Sequence, residues 1–175
     1  MIDAGVLTEN DKVELIEGLL VEMSPIHRPH AYVVQQLSRL LGRLTAGKWE
    51  VFQQQPVALP TSEPQPDISV VRGTNDDYKT EHPVPAQIGL LIEVADATLL
   101  FDRNVKSKIY AAAAIPEYWI VNLPKRRIEV CRNPQASESG MAAYQSHEVI
   151  EADGTLTLTL DDRQVGNISV SSILP

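Results

Sequence analysis

The sequence predicts a single α/β domain, and three stretches carry that prediction. "IGLLIEV" (88–94) is a continuous apolar run, the pattern of a strand covered on both faces in the middle of a sheet. From His30 to Leu44, the apolar residues Val33, Val34, Leu37, Leu40, Leu41 and Leu44 fall at helical spacing along one face. "IEVADATLLFDRNVKSKIYAAAAIPEYWIV" (92–121) reads as strand, helix and second strand. The chain has 175 residues, the size of one domain with one sizeable core.

The other elements follow in order. "VELIEGLLVEM" has two short apolar segments around Glu17-Gly18, which predicts a β-hairpin with glycine in the turn. "SPIHRPH" interrupts it with two prolines before the long helix. "WEVFQQQPVAL" interleaves β-branched and aromatic residues with polar ones, and Pro56 restricts this strand to an edge, an end or a bulge. "PTSEPQP" is a loop, "DISVV" a short strand, and "RGTNDDYKTEHPVPAQ" a long polar connection. After the central strand, a helix from about Arg103 to Ala114 is expected to turn Val105, Ile109, Ala112 and Ala113 inward. "EYWIVNL" and "RIEVCRN" form one strand pair across "PKRR"; "MAAYQSHEVI" and "TLTLTL" are expected to form another. "NISVSSILP" is read as a closing turn or short helix, and no internal repeat or linker marks a second domain.

Composition narrows the function. A hydrophobic fraction of 43% with 22% charged residues is that of a globular protein, and no apolar run approaches the ~20 residues of a membrane span. The start "MIDAGVLTENDKVELIEG" has acids where a secretory signal has a basic start and an apolar run, so the expected location is the cytoplasm. Cys131 is the single cysteine, which excludes an intrachain disulfide and a four-cysteine zinc site; its strand setting suggests a half-buried structural thiol. The net charge of −8 opposes tight non-specific binding to nucleic acid. Arg28, Arg39, Arg43 and Lys48, and again Arg103, Lys106 and Lys108, concentrate positive charge locally, either as solvated helix faces or as contact surfaces.

Glu93 is the anomaly, an acid inside the most apolar strand. Burying a carboxylate there costs several kcal/mol unless it is paired, protonated or bound to a metal. Asp67 is its natural companion, since it opens "DISVV" directly after Pro66. On adjacent strands the two carboxylates would converge and suit a hard cation such as Mg²⁺; taken alone, Asp67 reads rather as a turn or capping acid after Pro66. Asp102 and Lys106, spaced i,i+4 with Tyr110 one turn on, share a helix face. They form either a surface ion pair or a group aimed at the acids, where an ammonium would stabilise charge on a phosphate. Glu14 and Glu17 flank the first turn, one a candidate ligand and the other an exposed hairpin acid. His30 opens the long helix, either to touch phosphate or to satisfy the helix terminus. The chain has no glycine-rich phosphate loop, no G-x-S-x-G elbow, no H-E-x-x-H helix and no paired C-x-x-C.

The ordered set "VELIEGLLVEMSP", a helix-opening His, "PDISVV", "LLIEV" and "FDRNVKSKIYAAAAIPEYWIV" resembles the Uma-type restriction-endonuclease family, within the PD-(D/E)XK nuclease superfamily, from about Gly5 onward. The resemblance implies a restriction-endonuclease-like fold, a mixed central β-sheet flanked by helices, with a Mg²⁺- or Mn²⁺-dependent site cutting DNA. By position, Asp67 and Glu93 match the metal-binding acids and Glu14 the acid of the first hairpin. The superfamily lysine normally lies two residues after the second acid, where this chain has Ala95; in the Uma-type pattern the next helix supplies it, and Lys106 occupies that place. Asp102, His30 and Tyr110 take supporting positions, and "ADATL" replaces the serine-rich turn of many relatives. A homodimer is the expected assembly, because cutting both strands of a duplex calls for two symmetric sites. A catalytically silent binding or assembly subunit on the same fold is the alternative, and a purely structural role for metal and acids a third.

Overall fold

The computed structural model describes residue 8 and residues 11–136 and 142–175. Residues 1–7, 9 and 10 of the stretch behind the expected cytoplasmic location, and Met141 of the predicted "MAAYQSHEVI" strand, lie outside them. Strands β1 (Val13–Ile16) and β2 (Leu19–Glu22) form the expected antiparallel hairpin. Glu17 and Gly18 turn it with φ of 48° and 81°, both left-handed, as a two-residue hairpin turn requires. Helix α1 (Arg28–Leu44) starts two residues before His30, because Pro29 lacks only an N–H that the first turn leaves unpaired anyway. It buries Val33, Val34, Leu37 and Leu41 as its spacing predicts.

Six strands make the main sheet: β3 (Trp49–Gln53), β4 (Ile68–Arg72), β5 (Ile88–Ala95), β6 (Glu117–Asn122), β7 (Arg127–Ala136) and β8 (Ala142–Glu151), side by side in that order. Only β5 and β6 run parallel; the other neighbours are antiparallel, so the sheet is mixed. Every residue of β5 is buried, as a continuous apolar run in a central strand requires. β3 is an edge strand that ends before Pro56. The parallel step needs a crossover, which a helical segment over residues 99–112 supplies: α2 (Leu99–Phe101), a π-helical turn at Asp102–Lys106 and α3 (Ser107–Ala112).

Two expectations are corrected. The crossover helix begins at Leu99, and its inward residues are Asp102, Lys106, Ile109, Tyr110, Ala111 and Ala113, while Val105 is half-buried and Ala112 exposed. Lys106 and Tyr110 join the apolar residues on that face because Glu93 lies beneath them as an acceptor. The pairing of "MAAYQSHEVI" with "TLTLTL" does not form either. β7 runs on to Ala136 and takes β8 as its partner, leaving β9 (Thr155–Leu160) to pair with β10 (Arg163–Ser169), after which a short helical turn at Val170–Ser172 closes the chain as expected. Asp161 and Asp162, at φ 52° and 57°, make that second two-residue turn.

The core has two halves, one on each face of the sheet. α1 and the β9–β10 pair cover Val70, Leu90, Ile92, Trp119 and Val130. The crossover covers Val71, Leu91, Tyr118, Ile120 and Cys131. Cys131 is fully buried rather than half-buried, and burial with Glu129 nearby pushes its thiol up to about 11. Arg28, Arg39, Arg43 and Lys48 are exposed and make no ion pair among the described residues, whereas Lys106 is buried. No helix is long and apolar enough to cross a membrane among the described residues.

Candidate functional site

The site forms at the carboxyl end of β5, where β4 begins. Ile68 lies opposite Ile92, so Asp67, the residue before β4, falls beside Glu93. Asp67 Oδ2 accepts the Val94 backbone N–H at 2.8 Å and lies 2.9 Å from His30 Nε2, while Oδ1 accepts from Gln54 Nε2 at 3.3 Å. The strand neighbour thus holds the carboxylate by its backbone, and the first turn of α1 holds it by a ring.

Glu93 receives two donors on one oxygen, Lys106 Nζ at 2.9 Å and the Tyr110 hydroxyl at 2.8 Å. Lys106 also reaches Glu14 Oε2 at 3.1 Å, and that same oxygen accepts the Gln65 backbone N–H at 3.1 Å. The hairpin is docked there by main-chain bonds: Leu15 and Glu63 bridge, and Gly18 N–H donates to Thr61 C=O at 3.1 Å. Relative exposure is 8% at Asp67, 5% at Glu93, 6% at Glu14, 5% at Lys106 and 2% at Asp102, so bulk water screens little of this charge.

Burial pushes Glu93 well above the usual carboxylate range, Lys106 only partly opposing it. Burial pulls the Lys106 ammonium down, but Glu93, Glu14 and Asp102 together outweigh that and hold it above its usual value. Asp102 is raised to about 6 by burial, against the pull of Lys106 and of the Thr98 hydroxyl, which donates to Oδ2 at 2.7 Å. The i,i+4 ion pair of Asp102 with Lys106 does not form within 4 Å; the lysine turns to the strand acids instead. Glu17 is the exposed hairpin acid, its N–H donating to Ser62 Oγ at 2.8 Å.

Asp67, Glu93, Lys106, Glu14, His30 and Tyr110 therefore meet in one place, with Asp102 buried on the turn that carries the lysine. Sequence reasoning missed Gln54. Its φ of 49° lies in the left-handed region, and no pattern in "QQQ" marks which glutamine turns toward Asp67. It also missed Glu129, buried in β7 and held by Arg103 Nε at 2.8 Å and Asn122 Nδ2 at 3.0 Å; an acid in the predicted strand "RIEVCRN" was the available signal.

Among the described residues, no group of three or more His, Cys, Asp or Glu side chains is arranged to hold a metal ion. Two carboxylates, those of Asp67 and Glu93, offer hard oxygen donors, and no donor bonds Glu93 Oε2 among the described residues. That set fits Mg²⁺, which commonly takes one or two carboxylates and completes its octahedron with water and substrate phosphate.

No curated protein matches the chain. A solved structure, the crystal structure of "a putative nuclease belonging to DUF820" from Anabaena variabilis ATCC 29413, superposes with a TM-score of 0.72 at 12% identity, over 98% of this chain and 94% of that one. At that identity the likeness establishes the fold, a mixed sheet of restriction-endonuclease type. A family model extends over residues 5–166, nearly the whole chain, and on that match the protein belongs to the Uma2 family, described as "Putative restriction endonuclease".

Proposed function

We propose that the protein is a Mg²⁺-dependent endonuclease that hydrolyses DNA phosphodiester bonds in the cytoplasm, acting as a homodimer of one nuclease domain per chain. The observation that carries this reading is the meeting of Asp67 and Glu93 across β4 and β5 with Lys106 bonded to Glu93. Asp67 and Glu93 would hold Mg²⁺ or Mn²⁺, which supplies Lewis acidity at the phosphate and activates the attacking water. The chain's own groups do the rest. His30 and the Val94 N–H fix Asp67, Tyr110 fixes Glu93, and the Lys106 ammonium lies where negative charge on the phosphate would develop. Glu14 holds the ammonium from its other side.

The net charge of −8, which opposes tight binding to nucleic acid, favours a second reading, a catalytically silent subunit that binds or assembles on the same fold. Calorimetric Mn²⁺ titration of the wild type and of folded Asp67→Ala and Glu93→Ala proteins separates the two, followed by incubation with a pool of duplex DNA. The nuclease reading expects binding that both substitutions abolish, and cleavage lost with it. Mn²⁺ binding indifferent to both substitutions, with the DNA pool intact, would sink it in favour of the silent subunit.

A further inference from the structure

On the other flank of the turn that carries Lys106, a cavity of about 260 Å³ opens over β7. Arg103, Ser107, Arg127, Glu129, Cys131 and His147 line it. The sheet register fixes its place: Glu93 lies opposite Ile120, and Ile120 opposite Glu129. The two acids therefore share one face, two strand spacings or ~10 Å apart. This cavity is distinct from the carboxylate site.

Its hydrogen bonding is incomplete. The Glu129 side chain, 1% exposed, is engaged by the Arg103 fork and by Asn122. Arg127 is left outside that arrangement: its Nε lies 3.5 Å from Glu129 and its Nη1 3.6 Å from Glu151, too far for good hydrogen bonds. Arg127 Nε is buried without a hydrogen-bond partner among the described residues, its ion-pair partner Glu129 standing off at 3.5 Å, so the guanidinium in the wall of the cavity is held only by loose ion pairs. Such a group carries a desolvation cost that an acceptor in the cavity would recover. Two guanidinium charges face one buried carboxylate, while Glu151, with 61% of its side chain exposed, is screened by solvent. His147 lies 3.7 Å from Glu129, its side chain half exposed.

The geometry points to a phosphate-binding cavity, in which Arg127 presents its fork to an oxyanion and His147 and the Ser107 hydroxyl add donors. Two arginines disfavour a metal cation there, and buried charge disfavours an apolar ligand. The phosphate belongs either to a nucleic-acid backbone, which rests on the nuclease reading, or to free phosphate and its monoesters, which does not.

The test titrates the full chain in metal-free buffer with inorganic phosphate, and separately with a single-stranded DNA oligonucleotide, following the ring resonances of His147 by NMR. Either ligand should shift them saturably, chloride at equal ionic strength should not, and Arg127→Gln should weaken the response about tenfold. Arg127→Lys keeps the charge without the fork and should fall between, so that a graded loss in folded proteins marks the site rather than the fold. An oligonucleotide response weakened by Arg127→Gln assigns the cavity to the nucleic-acid backbone; a response to inorganic phosphate alone assigns it to free phosphate. Silence at His147 with both ligands, an equal response to chloride, or a response indifferent to Arg127→Gln would overturn the proposal. Neither metal nor cleavage enters this readout, so it stands or falls separately from the Mn²⁺ titration.

Discussion

An ammonium taken out of water must recover its hydration from the protein, and Lys106 recovers it from Glu93 at 2.9 Å and Glu14 at 3.1 Å. Replacing it with an apolar residue of similar length strands both acids. We therefore predict that Lys106→Met costs about 3–5 kcal/mol in urea unfolding at pH 7. The double substitution Lys106→Met/Glu93→Gln should restore much of that loss, and a double variant no better than the single one would show that the pair is not coupled. Asp102 supplies a pH signature of the opposite sense to a salt-bridged acid. Its carboxyl protonates at about 6 in the fold against an ordinary 3.8, so between those values the folded chain holds a proton that the unfolded chain has released. Stability from this group is full below about 3.8 and falls as pH rises through about 6, leaving a deficit of ~3 kcal/mol at pH 7. Asp102→Asn should remove that slope, so the gap between variant and wild type should widen from pH 4 to pH 7. Parallel stability curves across that range would contradict it.

At the scale of elements, the crossover is where sequence and structure part most. Its helical spacing was legible, but among the residues facing inward Lys106 and Tyr110 turn to Glu93 of β5, and half-buried Arg103 turns to Glu129 of β7. A π-helical turn spans Asp102 to Lys106, an element found often at functional sites. Gly89 governs packing at the other end of β5. A Cβ there would lie 2.6 Å from Trp49 Cζ3 and 2.8 Å from Leu160 Cδ2, closer than real contacts allow. Gly89→Val should destabilise the protein by about 1–3 kcal/mol through over-packing, and Leu160→Ala should cost less in that background than in the wild type. Additive losses would place the clash elsewhere.

At the scale of the molecule, β4, β5 and β6 contribute side chains to both halves of the core, one under α1 and the β9–β10 pair and the other under the crossover. Neither half can open without exposing the other across the shared strands. Urea unfolding should accordingly be one transition, with far-ultraviolet circular dichroism and tryptophan fluorescence, which reports on fully buried Trp119, coinciding. Two separated transitions would divide the chain into independent units. The net charge of −8 sets the background against which the local cations at the cavity over β7 must act.

Local patterning by itself determined the elements whose signal lies within one turn or one strand. The hairpin at Glu17-Gly18, helix α1, the buried run of β5 and the opening of β4 just after Asp67 were legible because φ preference, helical period and apolar continuity are properties of neighbouring residues. The acids and the lysine could be named for the same reason, since a charge in an apolar strand is visible where it stands. Only the tertiary structure decided what each meets. Lys106 binds Glu93 and Glu14 rather than Asp102, Gln54 turns to Asp67, and β8 joins β7 while β9 turns to β10. Those outcomes rest on strand register and on competition for one buried face among residues far apart in the chain, and no window of sequence contains either.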